Sequence, residues 1–183
     1  AYVSENSEEA KDWLADTLGM EYGDLAQEAG SSVARSFPAK EGNLNELAQE
    51  ALLKKVEELK IPVEYKAELK SVAYNEEGAL DRIKDQEIDC LALVATDVSL
   101  IPVFEESQVY EADGKAAALV VSNNAEQLNK DSGELINGLY AAGPILSAAV
   151  DGEGVLSGNE LTEAVMFGST AGTEAAVYVS DNQ

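Results

Sequence analysis

Apolar positions along the chain switch between two periods, and the switches predict its elements. SENSEEAKDWLADTLGM places Trp13, Leu14 and Leu18 on one helical face, behind a cap at Ser4 or Asn6 and first-turn glutamates, and Gly19 ends it. EYGDLAQEAGSSVARSFPAKEG, broken by Gly23, Gly30, Pro38 and Gly42, predicts a polar loop. NLNELAQEALLKKVEELK is the clearest helix, capped by Asn43 and striped by Leu44, Leu47, Ala48, Ala51, Leu52 and Val56. Pro62 forces an exit. IPVEYKAELKSVAYNEEG then alternates as a strand does, up to a turn at Gly78.

EIDCLALVATDVSLIPVF is a continuous apolar run, the pattern of a strand buried on both faces. Residues 117–121 and 139–142 predict two more strands, separated by a turn with Asn129, Asp131 and Gly133. From Asn159 to about Val179 the helical period returns, with Leu161, Val165 and Met166 on its apolar side. Gly168 and Gly172 would admit a closely packed strand. Without repeats or a low-complexity linker, the pattern predicts one α/β domain. Its central sheet is built from VEYKAEL, CLALVAT, AALVV and GLYAA, flanked by the Asn43 and Asn159 helices.

Length agrees: 183 residues suit one domain with a real core. Charge changes the picture more. With 35 acidic against 12 basic residues the net charge is −23, which repels nucleic acid and anionic membrane surfaces. A protein partner or a homo-oligomer is the expected association. The single cysteine, Cys90, excludes an intrachain disulfide and reads as a buried structural thiol. The absence of histidine removes the commonest general base and transition-metal ligand. No apolar run reaches membrane-spanning length and no signal peptide is visible. The opening AYVSENSEEA fits a processed end or an arbitrary boundary, leaving secreted and cytoplasmic locations open. The runs Glu8–Glu9, Glu57–Glu58 and Glu105–Glu106 read as solvated faces. Tyr22, Tyr65, Tyr74 and Tyr110 read as half-buried packing residues.

No metal site is expected, although DGEGVLSGNEL offers an alternative. Asp151, Glu153, Ser157 and Glu160 fall at positions three, five, nine and twelve of a calcium-binding EF-hand loop, with Gly154 at its sharp turn. Position one would be Ala149, which cannot ligate, and the preceding segment reads as strand and loop. Gly152, Gly154 and Gly158 lack the dinucleotide-binding spacing.

Several stretches together resemble the flavoprotein subunit of the fumarate reductase/succinate dehydrogenase superfamily, especially soluble flavocytochrome-type fumarate reductases. GLYAAG at residues 138–143, SGN at 157–159 and FGSTAG at 167–172 follow that family's carboxyl-terminal flavin segment in order. Upstream, SENSEEAKDWLADTLGM, GSSVARSFPAKEG and IDCLALVAT resemble the family's ENSADAVDWLTSLGA, GASVNRSHRPTGG and ADAVVIATGG. The resemblance covers residues 1–98 and 117–183 and implies a reduced FAD-binding-domain-like fold lacking the first βαβ unit. By this resemblance Gly143, Gly158, Asn159 and Leu161 are the candidate cofactor-binding positions, on a helix start whose free amides would face a flavin ring.

The departures bear on function. No Gly-x-Gly-x-x-Gly opening is present to hold the FAD pyrophosphate. The capping region between Thr96 and Ala117 is reduced, and the family's catalytic arginine goes with it. Phe37 stands at the substrate-binding histidine, Asp151 and Val155 at the histidine and arginine of the Gly-rich loop, and Pro144 at the flavin-contacting glutamate. Thr96, Asp97 and Val98 replace the TGG, and Arg35 is the charged loop residue that survives. No catalytic residue is therefore expected. The reading is a non-catalytic flavoprotein-derived domain that binds a partner or ligand, with no cofactor on the isolated chain. The alternative is one part of a split FAD-dependent oxidoreductase, completed by a second chain. Loss of the first strand also predicts a bare sheet edge, to be covered by a partner, a second copy or a rearranged N-terminal segment.

Overall fold

The computed structural model describes residues 2–27, 31–76, 78–83, 86–88, 90–94, 98–151 and 159–182. The chain is mixed helix and sheet and divides into two compact units, Ala1–Ala67 with Leu156–Thr162 and Glu68–Val155 with Glu163–Gln183.

The first unit contains α1 (Tyr2–Leu18) and α2 (Leu44–Glu58). Gly19, at φ +71°, closes α1 by donating to the Ala15 carbonyl at 2.9 Å, the left-handed C-terminal turn for which glycine is suited. Asn43 caps α2 as expected: its side-chain oxygen accepts from the amides of Asn45 (2.9 Å) and Glu46 (3.2 Å). Ala10 and Leu14 of α1 and Ala48 of α2 are buried. Leu47 and Leu52, expected on the buried stripe of α2, are partly exposed at its margins. The segment between the helices is not only loop. Antiparallel bridges join Tyr22 to Ala39 and Ala26 to Ser36, and the Tyr22 hydroxyl donates to the Lys11 carbonyl at 3.0 Å.

The second unit is built from short strands: β1 (Ala73–Tyr74), β2 (Leu80–Ile83), β3 (Gln86–Glu87), β4 (Leu91–Val94), β5 (Val109–Ala112), β6 (Lys115–Leu119), β7 (Glu126–Leu128) and β8 (Leu135–Ala142). They form three sheets, β1-β2-β3, β4-β8-β7 and β5-β6. Helices α3 (Ser147–Asp151) and α4 (Asn159–Asp181) follow β8. The middle sheet sets the core. β4 runs parallel to β8, from Leu91 beside Leu139 to Val94 beside Ala142, and β7 pairs antiparallel on the other side. Gly138, buried at φ +79°, sits where the β7–β8 register slips between Leu128↔Leu135 and Glu126↔Tyr140. From Gly138 onward every residue of β8 is buried. Phe104, Leu119, Ile136, Leu139, Ile145 and Leu146 complete the core, with Val165, Met166, Phe167, Ala171 and Ala175 from α4.

Four expectations need correction. VEYKAEL is not a strand, because Lys66 at φ +60° kinks it and its residues are largely exposed. AALVV joins β5 in a separate hairpin, Val109 beside Leu119, and meets the central sheet only through a bridge from Val121 to Gln127. The apolar run after Cys90 is a strand only over β4, and not one buried on both faces, since Val94 is 65% exposed. Pro102 lies inside the 3-10 helix Val98–Val103 that follows, where its missing N–H rules out a central strand. Among the described residues nothing lies within 4 Å of a methyl added at Gly168 or Gly172, so neither holds a described strand close. β4 is an outer strand of its sheet, with no strand on its other side among the described residues.

Leu139 and Leu135 test this core. Leu139→Ala should cost roughly 2–5 kcal/mol in denaturant unfolding, as a large buried side chain lost from a packed core. Leu135→Ala, on a side chain 45% exposed, should cost less than about 1 kcal/mol. Equal losses at both positions would contradict the burial assigned to β8.

Candidate functional site

The carboxyl end of the β4–β8 pair is where open α/β sheets place their ligands. There β8 ends at Gly143, buried at φ +83°, in a backbone conformation that a side chain would strain. Pro144 then starts the 3-10 turn Pro144–Leu146, and α3 follows directly. Ser147, first in α3, donates its hydroxyl to Glu163 Oε2 at 3.2 Å. Glu163 is only 2% exposed. Asp151, last in α3, has its Oδ2 buried with no hydrogen-bond partner among the described residues. Two carboxylates, Glu163 and Asp151, are thus associated with the elements that follow this strand.

Of the cofactor positions implied by resemblance, Gly143 lies at this strand end, while Asn159 and Leu161 are half-buried on the first turn of α4 and belong to the first unit. Gly158 falls outside the described residues, as do Glu153 and Ser157 of the calcium alternative and Thr96, Asp97 and Val155. Asp151 ends a short helix and Glu160 is exposed in the first turn of α4. Among the described residues, no three His, Cys, Asp or Glu side chains converge to hold a metal ion. Among them, too, no helix is long and apolar enough to cross a membrane. Phe37, which the resemblance aligned with a substrate histidine, meets Tyr22 edge-to-face with ring centres 6.0 Å apart, under the Lys11 ammonium at 5.0 Å. The residue is 42% exposed. Arg35 is exposed.

Sequence reasoning missed two groups. Glu163 is one, although its place three and four positions before Met166 and Phe167 puts a charge on the apolar face of α4. The other surrounds Tyr140, whose hydroxyl donates to the Glu174 carbonyl at 3.4 Å. Burial first, then the nearby Glu126, Cys90, Glu174 and Tyr178, pushes the Tyr140 phenol up to about 12. Burial and the Glu174 carboxylate likewise raise Glu126 above the usual carboxylate range. Cys90, half-buried rather than buried, belongs to this acidic neighbourhood. Beneath it, Ser107 donates to Gln127 Oε1 at 2.5 Å and Gln127 Nε2 donates to the Tyr140 carbonyl at 3.3 Å. Tyr74 is a second raised phenol, pushed to about 12 chiefly by burial, with Glu105 and Glu106 adding to the shift. Burial thus disfavours the ionised forms of both phenols and of the Glu126 carboxyl.

No model of a known protein family matches the chain, and no characterised protein matches it either.

The Tyr140 shift fixes a pH dependence. A phenol at about 12 in the fold, against 10.0 ordinarily, contributes stability that is complete below pH 10 and lost as pH rises toward 12. Denaturant unfolding between pH 9 and about 11.5 should show that loss in the native chain and a smaller one in Tyr140→Phe. Parallel losses in the two chains would show that the phenol is not perturbed.

Proposed function

We propose that this chain is a non-catalytic domain of flavoprotein descent, which acts by binding a partner or ligand and turns over no substrate. Its fold is then a reduced FAD-binding type without the first βαβ unit. Support for the descent comes from β4 and β8, because residues 91–94 and 139–142, within two stretches that carry the resemblance, lie side by side as parallel strands. The loss of chemistry rests on one observation, the buried Glu163 hydrogen-bonded to Ser147 just beyond β8. Fumarate is a dianion, and its reduction needs clustered cations and a proton donor. A buried carboxylate there, within a chain of net charge −23, works against such a substrate.

FAD affinity in the resembling family rests on a glycine loop for the pyrophosphate and an acidic residue for the ribose, and this chain carries neither motif. The helix start at Asn159 contributes about 1 kcal/mol toward a partial negative charge, far short of micromolar binding. The purified chain should be colourless and give no saturable signal when FAD or FMN is titrated in and followed by flavin fluorescence and calorimetry. A dissociation constant of about 1 µM or tighter would restore a flavoprotein and overturn this reading.

A further inference from the structure

Residues 61–72, between α2 and β1, have the alternation of a strand and belong to no sheet among the described residues. Every side chain from Ile61 to Glu68 is exposed, Val63 at 54% and Tyr65 at 79%, contrary to the half-buried packing expected of that tyrosine. No backbone N–H of residues 63–72 reaches a backbone carbonyl among the described residues. Glu68 and Lys70 lie 3.5 Å apart, an i, i+2 contact that belongs to one face of an extended chain. Lys66 bends the segment, at φ +60°, a conformation uncommon for lysine. A row of unpaired backbone groups under exposed apolar side chains is a template for another strand.

We propose that two copies of the chain pair antiparallel through residues 63–70, about a two-fold axis at Ala67, with Lys66 relaxing into the extended region. The order of residues singles out this arrangement. Centring on Ala67 sets Glu64 opposite Lys70, Lys66 opposite Glu68 and Tyr65 opposite Leu69, each pair occurring twice by symmetry. One face of the ribbon then carries alternating opposite charges, and the other carries Val63, Tyr65, Ala67 and Leu69 from both strands. Shifting the axis to Lys66 opposes Glu64 to Glu68, and shifting it to Glu68 opposes Lys66 to Lys70. Parallel in-register pairing stacks every charge on its like. The pattern thus selects one register and rejects its neighbours.

A second copy also suits the charge. The whole chain carries −23, yet Glu64 and Glu68 balance Lys66 and Lys70 within the segment, so two copies meet there without the repulsion that their other surfaces impose. The pairing is independent of the flavoprotein reading and goes beyond it.

Sedimentation equilibrium of the full chain at physiological ionic strength, where the Debye length is about 8 Å, should show a reversible monomer–dimer equilibrium. Glu64→Lys places like charges at both ends of the ribbon and should weaken dimerisation about tenfold. Adding Lys70→Glu to that variant should restore it, which a merely damaged fold would not do. In a Cys90→Ala background, Ala67→Cys should oxidise to a symmetric disulfide dimer faster than Val63→Cys, whose partner across the ribbon is Ser71. A chain that stays monomeric up to about millimolar concentration, or a dimer indifferent to Glu64→Lys, overturns the proposal. Equal cross-linking at the two cysteine positions also overturns it.

Discussion

A strand buried on both faces has no water to satisfy its backbone, and β8 meets that constraint by pairing along both edges. The rest of the second unit is arranged around that solution. Gly138, Ala141 and Ala142 are small enough for neighbouring elements to come close, while Leu139 and Tyr140 supply bulk. The polar atoms this burial traps are tied off locally. Gln127 reaches from β7 to the Tyr140 carbonyl and to Ser107, and the Tyr140 hydroxyl finds a carbonyl on α4. Each of these bonds avoids an unsatisfied buried group, which would cost about 1–3 kcal/mol.

Charge is the opposing pressure. With nearly three acidic residues for every basic one, carboxylates appear even where the fold is closed, at Glu163 and beside Tyr140. Exposed pairs such as Lys40–Glu21, at 2.6 Å, offset little of this, because water and salt screen them. The consequence is electrostatic and functional together. Just beyond β8, Ser147 donates to the buried Glu163, so a carboxylate sits inside the fold there. The proposed loss of redox chemistry and the placement of these carboxylates are thus two aspects of one charge distribution.

Much of the local structure was legible, because it rests on residues acting over a few positions. The Asn43 cap, the left-handed Gly19 and the Asn129 turn, whose side chain accepts from the amides of Asp131 and Ser132, are local physics. That residues 91–94 and GLYAA share one sheet was legible, but the expected burial of the first strand on both faces was not met. Other long-range pairing was not legible. VEYKAEL has a strand's alternation, but alternation names no partner, and Lys66 turns the segment out of line. AALVV found its partner in the preceding β5 across the Asp113–Gly114 turn, a short hairpin that closes more cheaply than a distant sheet. The site was legible only as glycines and absences. Glu163 escaped because a helical charge is ordinarily solvated, and only its spacing from Met166 and Phe167 marks it as buried.

Burial of β8 is the claim on which the strand end, the Tyr140 neighbourhood and the second unit all depend, and backbone amide hydrogen exchange reads it directly. The amides of Leu139, Tyr140, Ala141 and Ala142 should be among the slowest in the chain, exchanging only with the free energy of global unfolding as denaturant is added. Exchange of those four amides through low-energy local opening, at rates like those of the exposed segment after Pro62, would contradict a core built on this strand.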